Sequence, residues 1–250
     1  MTELWLVDLE RAAPALEELE AAVPRLSPDD RRQVRHIGDL RARRHRLAAY
    51  AALRIALERM AGPGVRGARF VRSPAGKPSL ARGRVAFSLS HSGGFALIGV
   101  TRYGAIGVDL EPTRNVRMSS HHQGSIVAAG RGLAAQGGGV TARPLAFLQA
   151  WSRLEAFAKA DGRGLARLLA DVGMRGEAGR LATPATIEAS ARQVAEATGL
   201  KVCDLKLPQG LFGAVALARP ASLPRVRSFP VDRPAIARLS SSRGAPHRQR

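Results

Sequence analysis

A single cysteine, Cys203, stands in 250 residues, so no disulfide framework braces the chain and its core has to come from packing. Aromatic residues make up only 4% of the sequence, which leaves few platforms for stacked bases and argues against a nucleic-acid partner. No run approaches the roughly 20 apolar residues that span a bilayer, so no membrane partner is expected. The N-terminal MTELWLVDLE has neither a basic start nor a long apolar stretch, and without a secretory signal the expected location is cytoplasmic. Lysine is scarce too. Lys77, Lys159, Lys201 and Lys206 are the only four, and the other 35 of the 39 basic residues are arginine.

What is present suffices for a globular enzyme. A 45% hydrophobic content and this length can bury a sizeable core, as one large domain or two small ones. The formal charge is +19, of which +6 falls in residues 221–250 and +13 in the rest, so the body is basic without its tail. An arginine skew alongside abundant Ala and Gly reads either as compositional bias or as attraction to a polyanion, an acidic protein or a phosphate-rich ligand.

Along the chain, Leu4 to Leu9 reads as a strand and the acidic Leu16 to Ala22 as a short helix. Ser27 and Pro28 are an N-cap and a first helical residue. Seven arginines follow between Arg31 and Arg46 against the single Asp39, and Leu47, Tyr50, Leu53, Leu57 and Met60 then form a core-facing helical stripe. Ala68 to Arg72 reads as a strand and Ser73 to Pro78 as a turn with Lys77 at its tip. Residues 113–142, with His121-His122 and Gly137-Gly138-Gly139, read as a loop-rich crossover with a faint helical signal from Ile126 to Ala135. Pro144 to Ala160 is a helix with Phe147, Trp151, Leu154 and Ala158 on its buried stripe, closed by the glycines of Asp161 to Leu165. Short strands and turns are expected from Ala166 to Ile187, and Glu188 to Thr198 is ambiguous. A strand pair is expected over Lys201 to Leu207 and Gly213 to Ala218, and a flexible Arg/Ser/Pro-rich tail over 221–250.

The stretch from Phe87 to Glu111, FSLSHSGGFALIGVTRYGAIGVDLE, organises the rest. Val85 to Leu89, Phe95 to Thr101 and Ala105 to Leu110 are patterned as three strands of a small antiparallel sheet, the last two joined by a tight turn at Arg102-Tyr103-Gly104. Alternation along the third puts Ile106, Val108 and Leu110 on one face and Gly107, Asp109 and Glu111 on the other. Two carboxylates on one face are hard oxygen ligands suited to Mg²⁺, and Glu155 is a third. Lys77, the Ser90 hydroxyl, His91, the arginine block and Lys159 are donors for phosphate oxygens. Glu155 and Lys159, four apart, also suit a plain solvated helix pair. His121 and His122, as chain neighbours with no third ligand near, do not suit one metal ion.

The segments GKP at 76–78, SLSHSGG at 88–94, IGVDLE at 106–111 and WSRLEAFAKADGRGL at 151–165 resemble, in order and spacing, the 4'-phosphopantetheinyl transferase family in its longer Sfp-type form, over about residues 4–219. The resemblance implies an α+β, pseudo-twofold fold of two similar halves, each a small antiparallel sheet packed with helices: 1–112 with the coenzyme A contacts and metal-binding strand, and 113–220 with the catalytic helix. It implies a monomer that uses Mg²⁺ and takes coenzyme A as co-substrate. The 4'-phosphopantetheine arm would pass to a serine of an apo acyl or peptidyl carrier protein, releasing adenosine 3',5'-bisphosphate. Asp109, Glu111 and Glu155 match the metal ligands, Glu155 also matches the base, and Lys159 matches a pyrophosphate-side lysine. Lys77, Ser90 and His91 match coenzyme A phosphate contacts, and the resemblance implies that one or more of Arg43, Arg44 and Arg46 grip the 3'-phosphate.

Two departures accompany the match. Leu154 stands where the family has Lys in W-x-x-K-E-A, with Arg153 adjacent, and the crossover after Glu111 lacks the aromatic and acidic segment common in relatives. A coenzyme A-binding relative without transferase activity is the alternative that Leu154 supports.

Overall fold

The computed structural model describes residues 1–82, 85–135, 143–174, 182–218 and 224–241. The chain runs through β1 (Thr2–Asp8), α1 (Leu9–Ala22), α2 (Pro28–Arg35), α3 (Leu40–Ala61), β2 (Phe70–Arg72), β3 (Pro78–Leu80), β4 (Ala86–Ser92), β5 (Phe95–Thr101) and β6 (Ile106–Pro112). It continues with α4 (Ser120–Leu133), α5 (Arg143–Asp161), α6 (Leu165–Asp171), α7 (Pro184–Thr198), β7 (Lys201–Asp204), β8 (Leu211–Leu217), β9 (Val226–Ser228) and α8 (Arg233–Ser241). The fold is mixed α+β with small sheets. Among the described residues no helix is long and apolar enough to cross a membrane.

Local chemistry sets the helix starts. The side chains of Asp8, Ser27, Asp39 and Thr183 each accept a backbone N–H of the first turn, and at Ser27 the Asp30 carboxylate returns the bond to make a capping box with Pro28 in the first turn. Asp30 then anchors a buried strut. Arg54 donates to its Oδ2 from Nε (2.9 Å) and Nη2 (2.6 Å), and lies over the Phe70 ring at 3.8 Å. This ties α2 to α3 and to β2. The arginine block is largely answered by acids, since Arg31 pairs with Glu20, Arg41 with Glu10 and Arg44 with Glu17, all on α1.

Three sheets result, in the orders β4-β5-β1-β9, β2-β3 and β6-β8-β7. The first packs against α1, α3 and α8 around Trp5, Leu16, Leu57 and Ile98. The second core gathers Leu133, Phe147, Leu154 and Phe157 of α4 and α5 with Ile187 and the β8 alanines. Between them Leu4, Leu97, Ile106, Val108, Leu110 and Val215 form a third, inter-sheet layer.

The expected alternation of β6 holds: Ile106, Val108 and Leu110 enter the inter-sheet layer, whereas Gly107 lies against α5. The expected β5–β6 hairpin does not form. β5 pairs with β4 and β1, and β6 pairs with β8 in register Gly107↔Ala216 and Asp109↔Ala214. Gly99 on β5 sits directly beneath Ile106 and Val108, so the two strands meet face to face instead of edge to edge.

Three further expectations are corrected. The crossover after Glu111 carries the helix α4, although Gly137-Gly138-Gly139 lie outside the described residues. The strands and turns expected from Ala166 to Ile187 are replaced, where described, by α6 and the start of α7, which runs on through Glu188 to Thr198. The tail is not wholly loose: Val226–Ser228 extends the first sheet in parallel with Leu4–Leu6, and Phe229 and Ile236 are buried in the first core. Residues 242–250 lie outside the described residues.

Replacing Phe229→Ala is expected to cost about 3 kcal/mol in urea denaturation, the usual loss for a large core side chain. A change under about 1 kcal/mol would return this segment to the surface.

Candidate functional site

A cleft of about 460 Å³ opens where the 73–78 turn, α3, β4 and α5 converge. Lys77, Arg46, His91, Glu155 and Lys159 all line it, so residues some 100 positions apart in sequence meet on one concave surface. What lets α5 come so close is the face it rests on. Gly107, Ala214 and Ala216 share that face, and a methyl at Gly107 would run into the Ala156 carbonyl oxygen and the Ala160 nitrogen. On the other side β4 is fastened to β6 by hydroxyls rather than a backbone ladder, with the Val108 N–H donating to Ser88 Oγ (3.0 Å) and Ser90 Oγ donating to Asp109 Oδ1 (2.8 Å).

Asp109 is buried, at 4% exposure, and neither it nor Glu111 or Ser90 is among the residues that line the cleft. Asp109 Oδ1 accepts from Ser90 and from Lys159 Nζ (2.6 Å), while Oδ2 is buried with no hydrogen-bond partner. Lys159 therefore pairs with Asp109 instead of forming the solvated pair with Glu155. Glu111, two residues on, meets Arg114 at 3.2 Å. Burial raises its carboxyl above the usual range, Asp109 adds to the rise, and Arg114 opposes it. Burial likewise raises Glu155, with Lys159 pulling the other way and both Asp109 and Glu111 pushing up. The three carboxylates thus share one electrostatic neighbourhood.

Among the described residues no three His, Cys, Asp or Glu side chains already stand together as a ready ion site. The donor set nevertheless fits a hard divalent cation. The buried Asp109 Oδ2 is an unmet acceptor, Glu111 and Glu155 act on Asp109 electrostatically, and Mg²⁺ needs few protein oxygens because water and phosphate complete its shell.

The cations are placed unequally. Lys77 Nζ donates to the carbonyls of Ala160 (2.8 Å) and Ile106 (3.4 Å), so it tethers the turn to the C-terminal end of α5, where positive charge is favourable. Burial lowers its pKa and Asp161 offsets part of that. Of the three arginines expected at the 3'-phosphate, only Arg46 lines the cleft. Its Nη1 reaches the Tyr50 hydroxyl (3.4 Å), which in turn donates to Gln33 (2.9 Å), and its Nε is buried without a partner. Arg43 is turned to the Ile37 carbonyl and Arg44 to Glu17, which sets both apart from the cleft. The Ser90 hydroxyl is likewise committed to Asp109.

His91 is held neutral. Burial first, then Arg46, Lys159 and His45, lower its pKa to about 4. Leu154 is fully buried in the second core. Arg153 donates from Nε and Nη2 to Asp204 (2.7 and 2.6 Å) and does not line the cleft. Tyr50 and Gln33, which support Arg46, are missed by sequence reasoning: Tyr50 falls on the apolar stripe, and nothing in the sequence links Gln33 to it. No protein-family model matches this chain, and a search of curated proteins finds no match.

Two outcomes are expected. Gly107→Ala should destabilise the protein by about 3 kcal/mol through overpacking and move α5, measured by denaturation; an unchanged midpoint would contradict the close approach. For His91, a folded pKa of about 4 against an ordinary 6.5 means the unfolded chain binds the proton first. Its contribution is intact above the ordinary value and lost as pH falls toward the folded one. His91→Gln should therefore gain stability relative to wild type across that window, whereas parallel pH profiles would show that His91 is not held neutral.

Proposed function

We propose that this protein transfers the 4'-phosphopantetheine arm of coenzyme A to a serine hydroxyl of an apo acyl or peptidyl carrier protein, with Mg²⁺ as cofactor, on a pseudo-twofold fold whose halves are residues 1–112 and 113–220. The observation that carries this reading is the cleft in which Lys77, Arg46, His91, Glu155 and Lys159 meet, with Lys159 reaching Asp109, whose other oxygen has no partner.

The chemistry asks for two things that these residues offer. The serine oxygen attacks the phosphorus that carries the pantetheine arm. A new P–O bond forms, the diphosphate bridge breaks, and adenosine 3',5'-bisphosphate leaves with the electron pair. The serine proton needs a base within about 3 Å or one water away. Glu155, raised by burial, takes that role. Negative charge accumulates on the diphosphate, and fixed cations are the main means of stabilising it. Lys159 and Arg46 face it, and His91, neutral at rest, gains a proton as phosphate arrives. Asp109, Glu111 and Glu155 would hold the cation, which when bound neutralises diphosphate charge. Carrier proteins of this kind are acidic, and a basic body steers them.

A second reading, coenzyme A binding without transfer, is favoured by one observation: the family lysine is replaced by a buried Leu154, and Arg153 is spent on Asp204. Incubation with coenzyme A, Mg²⁺ and a panel of apo carriers, followed by intact-mass measurement, separates the two. Transfer predicts a carrier heavier by the phosphopantetheine arm, slowed at least about 100-fold in Glu155→Ala, the usual cost of losing a general base. Coenzyme A binding with every carrier unmodified would leave only the second reading.

A further inference from the structure

We propose that Lys159 is a placeholder for the divalent cation: in the resting protein its ammonium supplies the positive charge at Asp109 that the cation later supplies, and it turns to the diphosphate when the cation enters. This rests on the transferase reading of the same cleft. The two roles assigned to Lys159 and Asp109, phosphate donor and metal ligand, are not the ones they play at rest. Lys159 Nζ lies 2.6 Å from Asp109 Oδ1, a salt bridge with the carboxylate at 5% side-chain exposure. Ser90 donates to the same oxygen, so Oδ1 has two donors and Oδ2 has none.

A buried carboxylate left without a counter-charge is costly, which gives the ammonium a structural reason to be there. An ammonium and a divalent ion on one carboxylate repel, so occupancy by one disfavours the other. The exchange is mechanically simple. Lys159 is a point charge on a flexible four-carbon stem and itself lines the cleft, one helical turn beyond Glu155. Arg114 holds Glu111 in a similar way at the strand's end. The site is thus neutralised by the protein's own cations until the divalent ion takes the place of Lys159, whose freed ammonium then serves the diphosphate.

The test is Mn²⁺ binding followed by electron paramagnetic resonance, without coenzyme A, in wild type, Lys159→Gln, Arg46→Gln and Asp109→Asn. Lys159→Gln, which removes the ammonium and keeps a polar side chain, should bind Mn²⁺ about tenfold more tightly than wild type. Arg46→Gln, which removes a charge from the same cleft without touching that carboxylate, should change by less than about twofold. Asp109→Asn should abolish binding. Equal affinity in wild type and Lys159→Gln, with both dependent on Asp109, would overturn the placeholder role and leave the metal-site reading standing. No Mn²⁺ binding by any of the proteins would overturn both. Amine acetylation of wild type, read by peptide mass, is independent of how the variants fold. Lys159 should be labelled faster once Mn²⁺ is added, and an unchanged rate overturns the exchange.

Discussion

The contact of α5 with β6 at Gly107 is the constraint from which the site follows. A helix can settle onto a sheet this closely only where the facing residues are minimal, and Gly107 with Ala214 and Ala216 supplies that surface. Once α5 is seated, Glu155 and Lys159 are carried to the rim of the same strand that bears Asp109 and Glu111. The opposite face of β6 is locked by Ile106, Val108 and Leu110 in the inter-sheet layer. The strand is therefore fixed on both faces, and its carboxylates have little freedom to move.

Fixing the strand this way creates a charge problem, and the polar groups of the site are best understood as its solution. Asp109 lies where a lone carboxylate would be strongly unfavourable. Ser90 and Lys159 attend to one oxygen and leave the other unmet. Lys77, at the far end of α5, closes the turn of residues 73–78 over the cleft by bonding to main-chain carbonyls. Its use here is as a tether, in which the ammonium is already occupied, while Arg46 is the cleft arginine with an unmet donor.

Much of this was legible in the chain, and the failures have physical causes. The period of two along Ile106 to Glu111 identifies the acidic face of β6, and the N-cap at Ser27 is local chemistry. A tight turn between two apolar runs signals edge pairing of β5 and β6, whereas Gly99 opens room for them to pack face to face. Helix α4 is rich in Gly, Ser and Ala and helix α7 in Ala, and each buries few large apolar side chains to signal a helix. In the C-terminal segment two apolar anchors, Phe229 and Ile236, are hidden among arginine, serine and proline. Which arginine of the block turns inward was not readable at all, since the choice depends on the acids of α1 that claim Arg41 and Arg44.

The central claim is that the concavity between the 73–78 turn, β4 and α5 receives coenzyme A. Hydrogen exchange with and without coenzyme A and Mg²⁺ addresses it directly. The account predicts slowed exchange in residues 73–78, 88–92 and 155–164, with the outer face of α1 unaffected. Protection confined to the arginine-rich surface of α2 and α3, or no protection at all, would contradict it.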